Sequence, residues 1–213
     1  MKRRNFIKSS SLLSSAFIIP GYTLKPKKNI YNDKIKLSLV GCGGRGTGAV
    51  INALNADDNI ELISMCDVFE DRIERSLNNL KDEFKGTSKI QVKNENCFTG
   101  FDGYKKTIDN ADVVILATPP GFRPQHFEYA VNSSKHVFVE KPVATDISGI
   151  KRFIESAKIV KKKKLNVVVG LQRRYQPSYI NTFKQVKRGM VGKITSGIVK
   201  WNSRGVWVKE REK

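Results

Sequence analysis

Gly41-Cys42-Gly43-Gly44-Arg45-Gly46 follows the apolar run Ile35–Val40 and opens a segment in which Ala49, Val50, Ala53 and Leu54 recur at helical spacing. A G-x-G-x-x-G hexapeptide is common in proteins, but between a strand and a helix each glycine has a physical task. Gly41 permits the tight turn, Gly43 lets the backbone approach a pyrophosphate, and Gly46 lets the helix pack closely on the strand. The helix begins near Gly44 and Arg45, where unbonded N–H groups and the positive end of the dipole suit an anion. The next apolar run, Ile60–Met65, leads to Asp67, about 20 residues past the loop. A carboxylate there accepts hydrogen bonds from ribose hydroxyls and repels a 2′-phosphate. The three features together predict a dinucleotide site that takes NAD rather than NADP.

Outward from the loop, short apolar runs alternate with longer amphipathic ones, which argues for strand–helix units and a parallel sheet. The strand candidates are Ile35–Val40, Ile60–Met65, Asp112–Ala117, His136–Val139 and Asn166–Val169. Ile147, Ile150, Ile154 and Ala157 recur as one helical stripe behind Asp146, a candidate N-cap. Pro177 opens a further helix carrying Ile180, Phe183 and Val186, and Gly189 stands where a helix ends. Ile194–Trp201 reads as one more strand. The expected fold class is α/β: a Rossmann-type doubly wound parallel sheet over residues 34–170, then an incomplete open-sheet α/β domain over residues 171–213.

The 213 residues are 39% hydrophobic and 28% charged, an ordinary globular mixture, but the net charge is +19. Such an excess raises nucleic acid as a partner. The charge is spread along the chain, however, and no RNA- or DNA-binding motif accompanies it. The one dense run, Lys161–Lys164, reads as a solvated helix end. Cys42, Cys66 and Cys97 lack metal-ligand spacing, so no metal is expected, and Cys42 and Cys66 fall where buried thiols belong. At the N-terminus MKRRNFIK precedes an uncharged, serine-rich stretch from Ser9 to Leu24, a leader too short to span a bilayer as a permanent helix. Arg3-Arg4-Asn5-Phe6-Ile7-Lys8 resembles the twin-arginine export signal. It implies a periplasmic protein, membrane-anchored if the signal stays uncleaved. Residues 1–33 are accordingly signal and linker.

Three further segments carry a wider resemblance: Ala117-Thr118-Pro119-Pro120 leading into Arg123-x-x-His126, then His136-Val137-Phe138-Val139-Glu140-Lys141-Pro142, then Val169-Gly170-Leu171-Gln172-Arg173-Arg174-Tyr175. With the glycine loop, in this order and spacing, they resemble the Gfo/Idh/MocA oxidoreductases, which join a Rossmann domain to an α/β domain over the nicotinamide. The resemblance implies that Lys141 lies beside the hydroxyl of the substrate carbon that loses its hydride. An ammonium there stabilises developing alkoxide charge and relays a proton. It implies a cis bond at Pro142, contacts from Glu140 and Gln172 to the nicotinamide ribose or ring, and Thr118 and Pro119 along the cofactor. His126 is a candidate for the cofactor site and His136 for a structural role. Arg173 and Tyr175 are candidates for the substrate.

The implied function is NAD-dependent transfer of a hydride between cofactor and a small sugar or polyol. The expected partners are that small molecule and further copies of the full-length chain, with no nucleic acid and no membrane beyond export or an uncleaved signal. The family's second domain supplies the proton-accepting histidine, and this sequence, expected to be a fragment, holds no residue matching it. Two other functions stand beside this one. One is the family's NAD-dependent glycosidase branch, which removes and returns a hydride and lacks a lysine at position 141. The other is a non-catalytic nucleotide-binding fragment.

Overall fold

The glycine loop sits where the sheet's strand order turns. The computed structural model describes residues 34–202, so the leader and linker expected over residues 1–33, and the end of the segment from 171 to 213, lie outside the described residues. Six strands form one sheet: β1 (Ile35–Val40), β2 (Ile60–Asp67), β3 (Cys97–Thr99), β4 (Val113–Leu116), β5 (His136–Val139) and β6 (Val167–Val169). Their order is β3-β2-β1-β4-β5-β6, and every adjacent pair is parallel. Parallel neighbours cannot be joined by a hairpin, so helices carry the crossovers. These are α1 (Gly44–Ala56), α2 (Glu70–Glu83), α3 (Gly103–Asp109), α4 (Arg123–Asn132) and α5 (Ile147–Lys163), and α6 (Pro177–Lys187) follows the sheet. This is the doubly wound arrangement that the loop predicts. The short β3 and the helices α2 and α3 were not anticipated from the sequence.

Alternation along β1 divides the core. Leu37 and Leu39 enter one layer with Val50 and Leu54 of α1 and Leu77 and Leu80 of α2. Val40 enters the other, with Ile108 of α3 and Phe127 and Val131 of α4. Strands covered on both faces have no solvent side, hence their nearly continuous apolar runs. Each fully buried aliphatic side chain contributes about 1.5–3 kcal/mol. In β2 the pairing with β1 slips at Ile63, from Leu37↔Leu62 to Ser38↔Ser64. The slip lets Leu62 and Met65, three residues apart, fill the same layer.

Asp146 caps α5 as expected, its Oδ1 accepting the Gly149 N–H at 2.7 Å. The stripe read from that helix faces outward, however. Ile147, Ile150 and Ile154 are exposed, while Phe153, Ile159 and Val160 pack on the core and Phe153 stacks on Phe127 at 4.0 Å. Both faces of α5 carry apolar residues, so periodicity alone could not choose between them. The lysine run also differs from a purely solvated end. Lys163 Nζ donates to the carbonyls of Val131 (3.1 Å) and Asn132 (2.6 Å), closing the C-terminus of α4. His136 has the structural place expected: its Nδ1 accepts the Asn166 N–H at 2.9 Å, next to the β5–β6 pairing. The strand expected over 194–201 does not form. Ile198 and Val199 are exposed, and no ladder among the described residues adjoins them to satisfy their backbone groups. No helix among the described residues is long and apolar enough to cross a membrane.

Candidate functional site

Chain leaving β1 turns toward β2 while chain leaving β4 turns toward β5, so the loops at their C-terminal ends part and leave a crevice. A cleft of about 990 Å³ occupies this place. At its centre Gly41 has φ +99, its N–H donates to the Cys66 carbonyl at 2.9 Å, and a Cβ there would stand 2.7 Å from the Thr118 nitrogen. Gly46 is buried beneath the loop, where a Cβ would lie 2.1 Å from the Gly41 oxygen. Gly43 and Gly44 line the cleft, and a Cβ on Gly44 would meet nothing within 4 Å. The open side therefore lies where the first-turn N–H groups of α1, which have no carbonyl one turn earlier, can reach a phosphate. Open space and unpaired donors fit a dinucleotide pyrophosphate.

On the β2 side of the loop, Asp67 Oδ2 accepts the Cys42 N–H at 2.7 Å and Oδ1 accepts the Phe69 N–H at 3.2 Å. The carboxylate thus braces the glycine loop and faces the cleft at once, with Arg72 beside it. Cys42 and Cys66 are buried, as expected. Burial raises the Cys42 thiol far above its usual range and pushes Cys66 up to about 12, so neither supplies a thiolate.

Thr118 and Pro119 line the middle of the cleft. Thr118 Oγ1 lies 3.1 Å from Nδ1 of His126, whose ring also packs 4.3 Å from Tyr104. Burial pulls His126 down from 6.5 to about 4, so the imidazole is neutral at pH 7. In the unfolded chain it protonates first as pH falls. Its contribution to stability is therefore complete above about pH 6.5 and is lost toward about 4, the loss reaching about 2 kcal/mol by pH 5. Thermal melts should show the unfolding midpoint falling between pH 7 and 5, and falling less in His126→Phe. Equal falls in both proteins would place the titrating group elsewhere.

The β5 side holds Glu140, Lys141 and Gln172. Glu140 is buried at 3% exposure, and its Oε1 receives Arg45 Nε at 2.7 Å and Nη2 at 2.5 Å. Gly170 stands against this carboxylate; a Cβ there would be 2.8 Å from Oε1. Lys141 is exposed at the cleft, and the Lys141–Pro142 bond is cis, as the family resemblance implies. Arg123, quoted in the motif before His126 but not among the expected site residues, is buried in the same wall and donates through Nη1 to the Pro142 carbonyl. Burial lowers its pKa, opposed by the charge of Glu140. The signal for it was present: Arg123-Pro124 opens the helix that follows the Thr-Pro-Pro turn, at the same sheet edge. Phe69, Phe101 and Phe122 also line the cleft and were not foreseen.

Ten of the expected cofactor residues thus meet in one cleft with Lys141, and Gly46 supports them from below. The two substrate candidates do not join them. Arg173 turns to Gln176 Oε1 at 2.6 Å and lies over the Tyr179 ring, and Tyr175 is exposed.

A model of the oxidoreductase family with an NAD-binding Rossmann fold matches residues 35–171. Inositol 2-dehydrogenase of Salmonella typhimurium is 26% identical over 162 residues, covering 74% of this chain and 43% of that protein. A glycosyl hydrolase family 109 protein of Streptomyces coelicolor is 26% identical over 165 residues, covering 76% and 33%. The crystal structure of scyllo-inositol dehydrogenase from Lactobacillus casei, with NAD(H) and scyllo-inositol bound, superposes with a TM-score of 0.59 at 25% identity, covering 76% of this chain and 44% of that one. The chain spans less than half the length of these relatives.

Proposed function

The chain belongs to the Gfo/Idh/MocA oxidoreductase family, and on that premise we propose that residues 34–170 bind NAD while the whole protein transfers a hydride between NAD and a sugar or polyol hydroxyl carbon. Residues from 171 onward begin the part that meets substrate. The observation carrying this reading is the single cleft that starts at Asp67, passes the glycine loop and ends at Lys141.

Bound NAD supplies the hydride acceptor. The chain's own groups do the rest. The first turn of α1 holds the pyrophosphate, and Asp67 receives the adenosine ribose. Arg123, through the Pro142 carbonyl, fixes the loop that presents Lys141. The Lys141 ammonium stabilises the alkoxide as it forms and relays the hydroxyl proton to the acceptor that the family's second domain supplies.

A glycosidase that borrows and returns a hydride is the second reading, favoured by the similarity to the family 109 protein. Lysine at position 141 favours the first. Incubation of the protein and NAD with a panel of inositols, sugars and aryl glycosides separates them. Accumulating NADH supports the dehydrogenase, and sugar release without net NADH overturns it.

Asp67 sets an expectation for the cofactor. A carboxylate close to a 2′-phosphate should weaken NADP binding about ten- to a hundredfold relative to NAD. Asp67→Asn keeps an acceptor for the Cys42 N–H and gives up the weaker one from Phe69 together with the charge, so it should narrow that gap about tenfold. Calorimetry finding NADP equal to NAD in the unaltered chain would reject the preference and point to Arg72, which lines the same end of the cleft.

A further inference from the structure

Glu140 and Arg45 are 95 residues apart in sequence, and they come from opposite sides of the crevice, the end of β5 and the first turn of α1. The carboxylate is almost wholly enclosed, its side chain 4% exposed, whereas the Arg45 side chain is 51% exposed and reaches it from the cleft side. On the β6 side the carboxylate fills the space that Gly170 leaves open, where a Cβ would stand 2.8 Å from Oε1 and 3.0 Å from Oε2. Glu140 is therefore the enclosed negative charge and Arg45 the half-exposed positive charge that balances it. A doubly wound sheet divides its ligand at the switch point, adenosine over the β1–β3 half and the second nucleoside over the β4–β6 half. Asp67 ends β2 on the first side, Glu140 follows β5 on the second, and Arg45 reaches across from the start of α1 to Glu140.

We infer that the Arg45–Glu140 pair sets the preference of the site between oxidised and reduced nicotinamide dinucleotide. This rests on the dinucleotide reading above and goes beyond it. The two forms differ at that end by one positive charge, so any fixed charge facing it discriminates between them. Glu140 favours the oxidised ring and Arg45 opposes it. Arg123 and Lys141, the other charged groups at this end, add two constant positive charges. Removing one member of the pair exposes the bias of the other.

The test needs only binding. Intrinsic NADH fluorescence gives the reduced form's dissociation constant, and displacement of NADH by NAD⁺ gives the oxidised form's. Arg45→Met should shift the ratio of affinities toward NAD⁺ and Glu140→Gln toward NADH, each by about tenfold, as expected for one charge several ångströms away in a half-exposed site. Arg45→Lys should return the ratio to within about threefold of the unaltered chain, since it restores the charge without the forked geometry. Opposite shifts support the inference, because a merely structural role weakens both forms alike. Equal weakening of both forms in Arg45→Met and Glu140→Gln overturns it, as does a ratio that stays fixed. An unaltered chain binding neither form would overturn the dinucleotide reading and this inference with it, an outcome visible before any variant is made.

Discussion

Lys141→Ala in the full-length protein is expected to lower kcat at least about a hundredfold while the dissociation constant of NAD moves by less than about threefold. The asymmetry follows from place. Lys141 is exposed at the cleft rather than buried in its wall, and no part of the glycine loop leans on it. In the proposed reaction its ammonium acts on an oxygen whose charge grows only as the hydroxyl proton leaves, so its contribution falls on the transition state and hardly on cofactor binding. A hundredfold loss corresponds to about 2.7 kcal/mol, within the range of one well-placed proton donor or charge stabiliser. Steady-state rates with whichever polyol gives turnover, together with NADH fluorescence titrations, provide both numbers. If the variant keeps more than about a tenth of kcat, Lys141 is not central to the chemistry. If it loses NAD instead, its work is in binding.

Gly46→Ala should be the most damaging single methyl in the described chain. Its Cβ would sit 2.1 Å from the Gly41 oxygen, 3.1 Å from Leu39 Cδ1 and 3.2 Å from the Ala117 Cβ, and all three neighbours belong to backbone or core that cannot turn aside. Relief requires α1 to lift from β1 and the loop to open, at a cost of about 3 kcal/mol, or roughly 6–12 °C in the unfolding midpoint for a domain of this size. The same lift carries the first-turn N–H groups away from the pyrophosphate, so NAD binding should fall below detection. Gly44→Ala is the matched control, since the added methyl meets nothing within 4 Å and the midpoint should move by no more than about 3 °C. Circular dichroism melts of the two variants, side by side, decide the matter. Equal midpoints would mean that the helix is not seated on the strand through Gly46.

What the sequence revealed and what it withheld follow from the range of the interactions involved. β1 and β5 have the bounds that their apolar runs announce, because a parallel strand buried on both faces has abrupt polar limits. The Asp146 cap and the glycine loop are likewise local chemistry, complete within a few residues. The orientation of α5 is not local. Ile147, Ile150 and Ile154 make as good a stripe as Phe153, Ile159 and Val160, and only the docked position of α4 decides which is covered. Ile194–Trp201 has strand composition but no ladder among the described residues, and a strand is a property of pairs. In the site, Glu140 and Arg45 were each read as touching the cofactor. That they grip one another across 95 residues of chain has no trace in either motif. Arg123 stands in a motif that carries the family resemblance, but its task shows only when the fold sets it under Pro142.

The central place of β1 has a consequence for the chain as it leaves the ribosome. β1 is made first among the six strands and has neighbours on both sides, β2 and β4. The first neighbour arrives with Asp67, but the second is not complete until Leu116. At ordinary elongation rates the nascent protein spends roughly 2–10 s with half a sheet made and the inner edge of its most buried strand unpaired. An open edge of Leu37, Leu39 and Val40 is the surface that other nascent chains would pair with, and a holdase bound there would bridge the gap. Slow codons placed between the β2 and β4 coding regions would lengthen this exposure and lower the yield of folded protein. The same codons placed after Val169, when the sheet is closed, would do little harm.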